Sequence, residues 1–254
     1  MPRKEIKVDP RIGNDRVGLM VTRGQVVHLG HMALMSQMMM DNSRNIIGFG
    51  SSQKSGVHGN PLTSEQKRKA QVGLWGDAFK MIFLQDIGST DSSTDWVDYV
   101  LDRIRVAGMA EPTDFYAGSL HEARWYEERF APLSGQPSYK RGMFDVWESE
   151  DGRHRIHIHD REANIRISAS EVRSMIERRD PTWKSFVPAK LWDFYEWEYP
   201  GDLRNAISQH DLDMNRDRPV GTKLISTEGK VFILRDDGVW RERTPEEQNK
   251  SMGD

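Results

Sequence analysis

Residues 16–31 constrain this chain more than any other stretch, because they prescribe a strand, a tight turn and a helix start in immediate succession. Val17 to Val21 is a short apolar run with the character of a buried strand. It breaks at Gly24 and leads into His28-Leu-Gly-His31. Behind that, Leu34, Met35, Met38 and Met39 recur on one helical face. A helix start reached through a glycine-containing turn is an anion site, since its first N–H groups lack partners and its dipole favours negative charge. Two histidines at i and i+3 can both face that end. Arg23 adds a fixed charge with a bidentate fork suited to phosphate. The plainer reading, that the histidines merely cap a helix, stands beside the phosphate reading at this stage.

The rest of the chain repeats the alternation. Asn45 to Phe49 is an apolar run that opens into Gly50-Ser51-Ser52-Gln53, where small residues let backbone approach a ligand. Lys54 to Asn60 reads as a loop. Thr63 and Gln66 form a capping box for a helix running to about Ala78. Met81 to Leu84 is a third strand, ending in Gln85-Asp86-Ile87, and Thr94 to Ala107 a helix with Trp96, Val97, Val100, Leu101 and Ile104 in a stripe. Asp114 to Ala117 is a fourth strand ending in Gly118-Ser119, followed by a helix over Leu120 to Phe130. Residues 131–155 read mainly as loop, with a strand at Met143 to Trp147, and Arg155 to His159 alternates like a strand with a surface face. Ile167 to Ser170 leads into a helix from Glu171 to about Arg178, and helical segments follow at Pro188 to Glu196 and Leu203 to Ser208.

Strands alternating with helices predict an α/β doubly wound parallel sheet. In such sheets ligands sit at the carboxyl ends of the strands. Arg23 to His31, Gly50 to Gln53, Gln85-Asp86, Gly118-Ser119 and Ser168 to Arg173 all fall there, which points to a nucleotide site. The tail differs. Three short apolar runs between Gly221 and Thr244, joined by Thr227-Glu-Gly229 and Asp236-Asp-Gly238, predict a small antiparallel meander. The expected organisation is a flexible lead-in over 1–15, a main domain over 16–210 and a β-hairpin appendage over 211–254.

Composition narrows the partners. A net charge of −3 gives no global attraction to nucleic acid. The absence of cysteine excludes disulfides and thiolate metal sites. No apolar run approaches the roughly 20 residues that span a bilayer, and Met1-Pro-Arg-Lys-Glu lacks an apolar signal region. The expectation is a cytoplasmic protein with no membrane or nucleic-acid partner. His154, His157 and His159 lack a carboxylate partner in sequence, so no protein-held metal is expected there. Met38 to Met40 read as core filling. Trp192 to Trp197 with Tyr199 read as a packing patch, leaving a homo-oligomer contact open. Arg241-Glu242 and Glu246-Glu247 have the wrong spacing for a Nudix hydrolase box.

Four ordered motifs resemble one family, the archaeal-type nicotinamide mononucleotide (NMN) adenylyltransferases of the His-x-Gly-His nucleotidyltransferases. The family's Gly-Arg-Phe-Gln-Pro-x-His-x-Gly-His is similar to residues 22–31. Its Gly-Ser-Ala-Gln and Asn-Pro-Phe-Thr are similar to Gly50 to Gln53 and Asn60 to Thr63, and its Gln-Asp-Ile with a downstream tryptophan to Gln85 to Ile87 with Trp96. Its Ser-Gly-Thr-x-x-Arg is similar to Ser168 to Arg173. The resemblance spans about residues 15–190. Gly24 and Val26 depart from it where the family has a bulky residue and a proline, which predicts a looser first loop. Lys67 stands for an arginine and Ser119 for an asparagine.

The resemblance implies a Rossmann-like nucleotidyltransferase that joins ATP and NMN into NAD and pyrophosphate, in NAD biosynthesis. It implies that His28, His31, Arg173 and Arg23 act on the phosphates, and that Thr22, Gln25, Gly30, Ser168 and Ser170 bind ATP. Ser51, Gln53, Asn60, Gln85, Asp86, Trp96 and Ser119 would bind NMN. Mg2+ would arrive with ATP, bridging its oxygens through water and substrate. For Trp96 two readings stand, stacking on the nicotinamide and packing in the helix stripe. Other acceptors (nicotinic acid mononucleotide, a phosphopantetheine-like group) and a non-catalytic nucleotide-binding regulator remain as alternatives.

Overall fold

The computed structural model describes residues 15–88, 93–127, 129–133, 135–159, 167–203, 220–225, 231–236 and 240–242. The lead-in up to residue 14, all but the first residue of the helix expected over 203–208, the linker at 227–229 and all but the first residue of the linker at 236–238 lie outside them.

Five parallel strands form the centre of a seven-stranded sheet. These are β1 (Val17–Thr22), β2 (Arg44–Phe49), β3 (Lys80–Phe83), β4 (Asp114–Ala117) and, after an intervening hairpin, β7 (Arg155–His159). The hairpin strands β5 (Tyr139–Arg141) and β6 (Phe144–Glu148) run antiparallel on the edge beside β7. The order is β3-β2-β1-β4-β7-β6-β5. The chain steps outward from β1 to β3, then returns to β4 on the other side, so the order reverses between β1 and β4. Crevices of open α/β sheets form at that reversal.

Period-two alternation sends each strand's side chains to two different helix layers. Leu19, Ile46, Phe115 and Ile156 share one face, buried with α3 (Ser93–Val106) and α4 (Leu120–Glu127). Met20, Ile47 and Tyr116 point the other way, onto α1 (Leu29–Asp41). A further apolar cluster joins Val26, Val27 and Leu62 to α2 (Ser64–Trp75), α5 (Ala169–Glu177), the 3-10 turns at Pro181–Phe186 and Ala189–Leu191, and α6 (Trp192–Glu198). The tail strands β8 (Lys223–Ile225), β9 (Val231–Leu234) and β10 (Trp240–Glu242) form the expected antiparallel meander.

The fold therefore matches the doubly wound expectation, with an antiparallel extension of which the sequence reading had one strand, expected at Met143 to Trp147 and found as β6, but not its partner β5. Several local expectations need correction. Within α1, Met38 fills the core but Met40 is 63 % exposed. In the aromatic run, Tyr195 and Tyr199 are buried whereas Trp197 is 84 % exposed. The largest correction concerns β7, which is a buried interior strand, not a surface one. His157 Nε2 lies 3.0 Å from Asp114 Oδ1, and Arg16 Nε is 2.5 Å from the other oxygen of Asp114. Tyr116 stacks on the His157 ring at 4.3 Å and donates its hydroxyl to Asp41 at 3.0 Å. Asp41 also pairs with Arg141 of β5 at 2.5 Å. The polar side of β7 thus meets buried charge in place of water. The two carboxylates lie on the side of the sheet where strands begin, Asp114 as the first residue of β4 and Asp41 as the last of α1, just before β2.

Candidate functional site

Beyond the carboxyl end of β1, the backbone turns through Gly24 in the left-handed region, φ +57°. A Cβ there would run into the Phe49 ring. Phe49 occupies the space that a side chain would fill, and Val26 and Val27 are buried. The Val27 N–H donates to the Tyr195 hydroxyl at 2.8 Å. The looser first loop expected from Gly24 and Val26 is therefore not what the packing gives. Gln25 ties the loop further: its amide donates to Asn60 Oδ1 at 3.1 Å and its carbonyl oxygen accepts the Leu62 N–H at 2.8 Å.

The two histidines cap α1 reciprocally. His28 is the N-cap, and its Nδ1 accepts the Gly30 N–H at 3.1 Å. His31, three residues on, accepts the His28 N–H on its own Nδ1 at 3.4 Å. The rings lie 4.0 Å apart. Gly30 is required because a Cβ would sit 2.9 Å from His28 Cε1. With both Nδ1 atoms accepting backbone N–H groups, the proton of each neutral imidazole resides on Nε2. Nε2 of His31 lies 3.3 Å from Thr22 Oγ1, which holds that ring at the strand end. The capping reading is thus correct, and both rings also line a cavity, so the two readings do not compete.

That cavity, of about 770 Å³, opens where the strand order reverses. Its lining includes Thr22, Arg23, Gln25, His28, His31, Ser51, Asp86, Trp96, Ser168, Ser170 and Arg173. A second helix start faces it. Ser168 caps α5 and shares a capping box with Glu171, so the helix begins two residues before the sequence reading placed it. Arg173 consequently lies in the second turn, and its guanidinium reaches back to Ser170 Oγ at 2.9 Å. Helical side chains lean toward the N-terminus, which brings it to the cavity. Burial, with the charge of Arg23 acting the same way, lowers its pKa from the usual arginine value. Two helix N-termini, two guanidinium groups and two imidazoles therefore line the same cavity.

The other expected residues lie around this cavity without lining it. Gly30 supports the His28 cap as above. Asn60 is buried against Gln25. Gln53 donates to Asp86 Oδ2 at 2.8 Å, Ser51 to Oδ1 at 2.8 Å, and Lys54 pairs with the same carboxylate at 2.7 Å. These contacts, the Lys54 bond foremost, hold the Asp86 carboxyl below its usual value. They tie the loop after β2 to the end of β3, with Ser51 in the left-handed region at φ +50°. Gln85 donates its N–H to the Tyr99 hydroxyl at 3.0 Å. Ser119 accepts the Glu122 N–H at the start of α4. Lys67 is 1 % exposed and donates to the Gly50 carbonyl at 3.3 Å. Burial first, then the charge of Arg23, lowers its pKa to about 8.

Sequence reading missed the α4 contribution. His121, Glu122 and Trp125 line the cavity together with Trp96, as do Ile87 and Gly88. Trp96 and Trp125 meet edge to face at 5.9 Å. Trp96 also packs on the α3–α4 side of the core, so its packing and cavity-lining readings both describe it. Among the described residues, no group of three or more His, Asp or Glu side chains could hold a metal ion. No described helix is long and apolar enough to cross a membrane.

No protein-family model matches the chain. Curated proteins do. The chain is 23 % identical over 205 residues to the nicotinamide-nucleotide adenylyltransferase of Thermococcus sibiricus, an overlap of 78 % of this chain and 92 % of that one. It is 25 % identical over 195 residues to the nicotinamide-nucleotide adenylyltransferase of Methanolobus tindarius, covering 76 % and 95 % of the two. Among solved structures, NadR protein in complex with NAD and AMP-PNP superposes with a TM-score of 0.48 at 17 % identity. That overlap covers 71 % of this chain and 47 % of the solved one, so the chain spans under half of its length.

Proposed function

We propose that this chain is a nicotinamide-nucleotide adenylyltransferase, which joins ATP and NMN into NAD and pyrophosphate. The carrying observation is the convergence of the α1 and α5 starts, His28, His31, Arg23 and Arg173, on one cavity that Trp96 and Trp125 also line. Its similarity to the archaeal adenylyltransferases over most of its length supports the same reading.

The 5′-phosphate of the mononucleotide is the nucleophile. One of its oxygens attacks the α-phosphorus of ATP in line. A new P–O bond forms, the bond from the α-phosphorus to the bridging oxygen breaks, and pyrophosphate leaves with that electron pair. The attacking oxygen is already anionic, so no general base is required. Catalysis consists of positioning and of stabilising charge on the transferring phosphoryl. His28 and His31 offer Nε2–H donors to the α-phosphate region. Arg173, with Ser168 and Ser170 beside it, neutralises the departing pyrophosphate, and Arg23 grips a further phosphate. Mg2+, where it accompanies the nucleotide, would offset charge on the phosphates.

A coupled assay for NAD from ATP and NMN, run against other phosphate acceptors, tests the reading. His31→Ala and Arg173→Ala are expected to lose roughly 2–4 kcal/mol of transition-state stabilisation each, the scale of one lost oxyanion-type donor. Turnover near wild type in both variants, or no NAD from the wild type, overturns it.

A further inference from the structure

Two like charges, Arg23 and Arg173, line one cavity. Burial, and after it the charge of Arg23, works against the charged form of Arg173, while the charge of Glu177 favours it. Arg173 is anchored within α5, at Ser170, so its place relative to Arg23 depends on what holds α5. Glu177 lies one turn further along the same buried face of that helix. It is 2 % exposed and does not line the cavity. Carboxylates are almost never buried this deeply unless paired. Tyr199 donates its hydroxyl to Oε1 at 2.6 Å. Oε2 lies 3.2 Å from His58 Nδ1, obliquely for a hydrogen bond, and this nitrogen has no other polar partner among the described residues. A carboxylate only accepts, so an imidazole nitrogen this near it carries a proton.

His58 belongs to a tight turn. Val57 and Asn60 exchange both backbone hydrogen bonds, at 3.3 and 2.8 Å, which leaves His58 and Gly59 at the tip. Asn60 accepts from Gln25, in the loop before α1, at 3.1 Å. One turn thus reaches both segments that bring arginines to the cavity. Through Asn60 it holds the loop that carries Arg23, and through His58 the helix that carries Arg173. Apolar packing of Val172 and Ile176 also holds α5, but such packing is non-directional. The His58–Glu177 contact supplies a direction.

We infer that His58 is a positioning residue which, by gripping Glu177, sets the guanidinium of Arg173 for the departing pyrophosphate, a role that rests on the adenylyl-transfer reading above. Steady-state kinetics of the full chain with ATP and NMN tests it in His58→Ala. That variant is expected to lower kcat about tenfold with KM for NMN little changed, part of the loss that follows from misplacing a catalytic group. In an Arg173→Ala background the same substitution is expected to change kcat by less than about twofold, since the group it positions is gone. A tenfold loss in both backgrounds marks a role independent of Arg173 and overturns the inference, as does wild-type turnover in His58→Ala. Glu177→Gln keeps an oxygen for the Tyr199 hydroxyl and loses the charge that faces His58. It is expected to act in the same direction, and the double variant to be no slower than the slower single one, because both break one contact. Losses that multiply overturn the inference. Calorimetric titration with inorganic pyrophosphate gives a reading without turnover: affinity is expected to fall about tenfold in His58→Ala, and an unchanged affinity overturns the role. Failure of the wild type to make NAD instead overturns the adenylyl-transfer reading, and the inference falls with it.

Discussion

At the scale of single residues, Lys67 has the most unusual environment. Its ammonium is buried beneath the loop after β2, beside the charge of Arg23, with the Gly50 carbonyl at 3.3 Å. A lysine whose folded pKa lies below its unfolded value costs stability while charged. The unfolded chain then binds more protons between about 8 and 10.5, so stability from this group rises with pH across that window. A depression of that size corresponds to roughly 3 kcal/mol. Lys67→Met is therefore expected to be more stable than wild type near neutral pH, with the difference shrinking as pH rises past the window. Chemical denaturation of both proteins along a pH series measures the gap, and a gap that does not change with pH contradicts the account. Nothing in the sequence marked Lys67 as buried, because one charged residue in the polar helix Ser64–Trp75 looks like a solvated one.

At the scale of elements, the start of α1 combines support and site in one motif. The His28 ring lies over Gly30, and a methyl group at that position would push the imidazole aside. Gly30→Ala is expected to cost about 1 kcal/mol of stability, the value of one cap, but to lower kcat/KM by about a hundredfold, the scale of a misplaced catalytic group. Melting and turnover measured on one sample separate the two, and near-normal turnover contradicts the assignment. This motif was legible because it is contiguous. The Thr63–Gln66 box before α2 was legible for the same reason. The Ser168–Glu171 box was not, since Ile167 to Ser170 read only as the lead-in to a helix beginning at Glu171. Of the β5–β6 hairpin only β6 was legible, as the strand expected at Met143 to Trp147, because the three residues of β5, two of them charged, carry too little periodicity to register. The alternating Arg155 to His159 was recognised as a strand but assigned to the surface. Alternation shows which residues share a face, and it cannot tell water from the buried carboxylates of Asp114 and Asp41. His121, Glu122 and Trp125 became part of the cavity only through the placement of β4 beside β1, a long-range pairing. Gly118-Ser119 at the strand end was the sole local hint.

At the scale of the molecule, the Asp114–His157–Arg16 contacts link β4 to β7 and to the residue just before β1, and Arg141 brings the edge hairpin to Asp41. Burial alone would raise the Asp114 carboxyl, but the hydrogen bond and charge of His157, with those of Arg16, outweigh it and hold the group below its usual value of 3.8. A depressed carboxyl contributes stability that is complete above the unfolded value and is lost as pH falls through the folded one. Acid unfolding is therefore expected to steepen below about pH 4. Asp114→Asn is expected to lose about 3–5 kcal/mol at neutral pH, since it leaves charged neighbours buried without their partner, and to flatten that acid response. Urea titrations at neutral and acid pH measure both, and a variant with wild-type stability contradicts the role.

These ionic contacts are anchored at the start of β4 and the end of α1, whereas the cavity lies beyond the carboxyl end of β1. Replacements around the mouth, at Glu122 or the indoles, leave the anchoring charges untouched. A designer wishing to retarget this scaffold to a different acceptor therefore has freedom at one pole that is denied at the other.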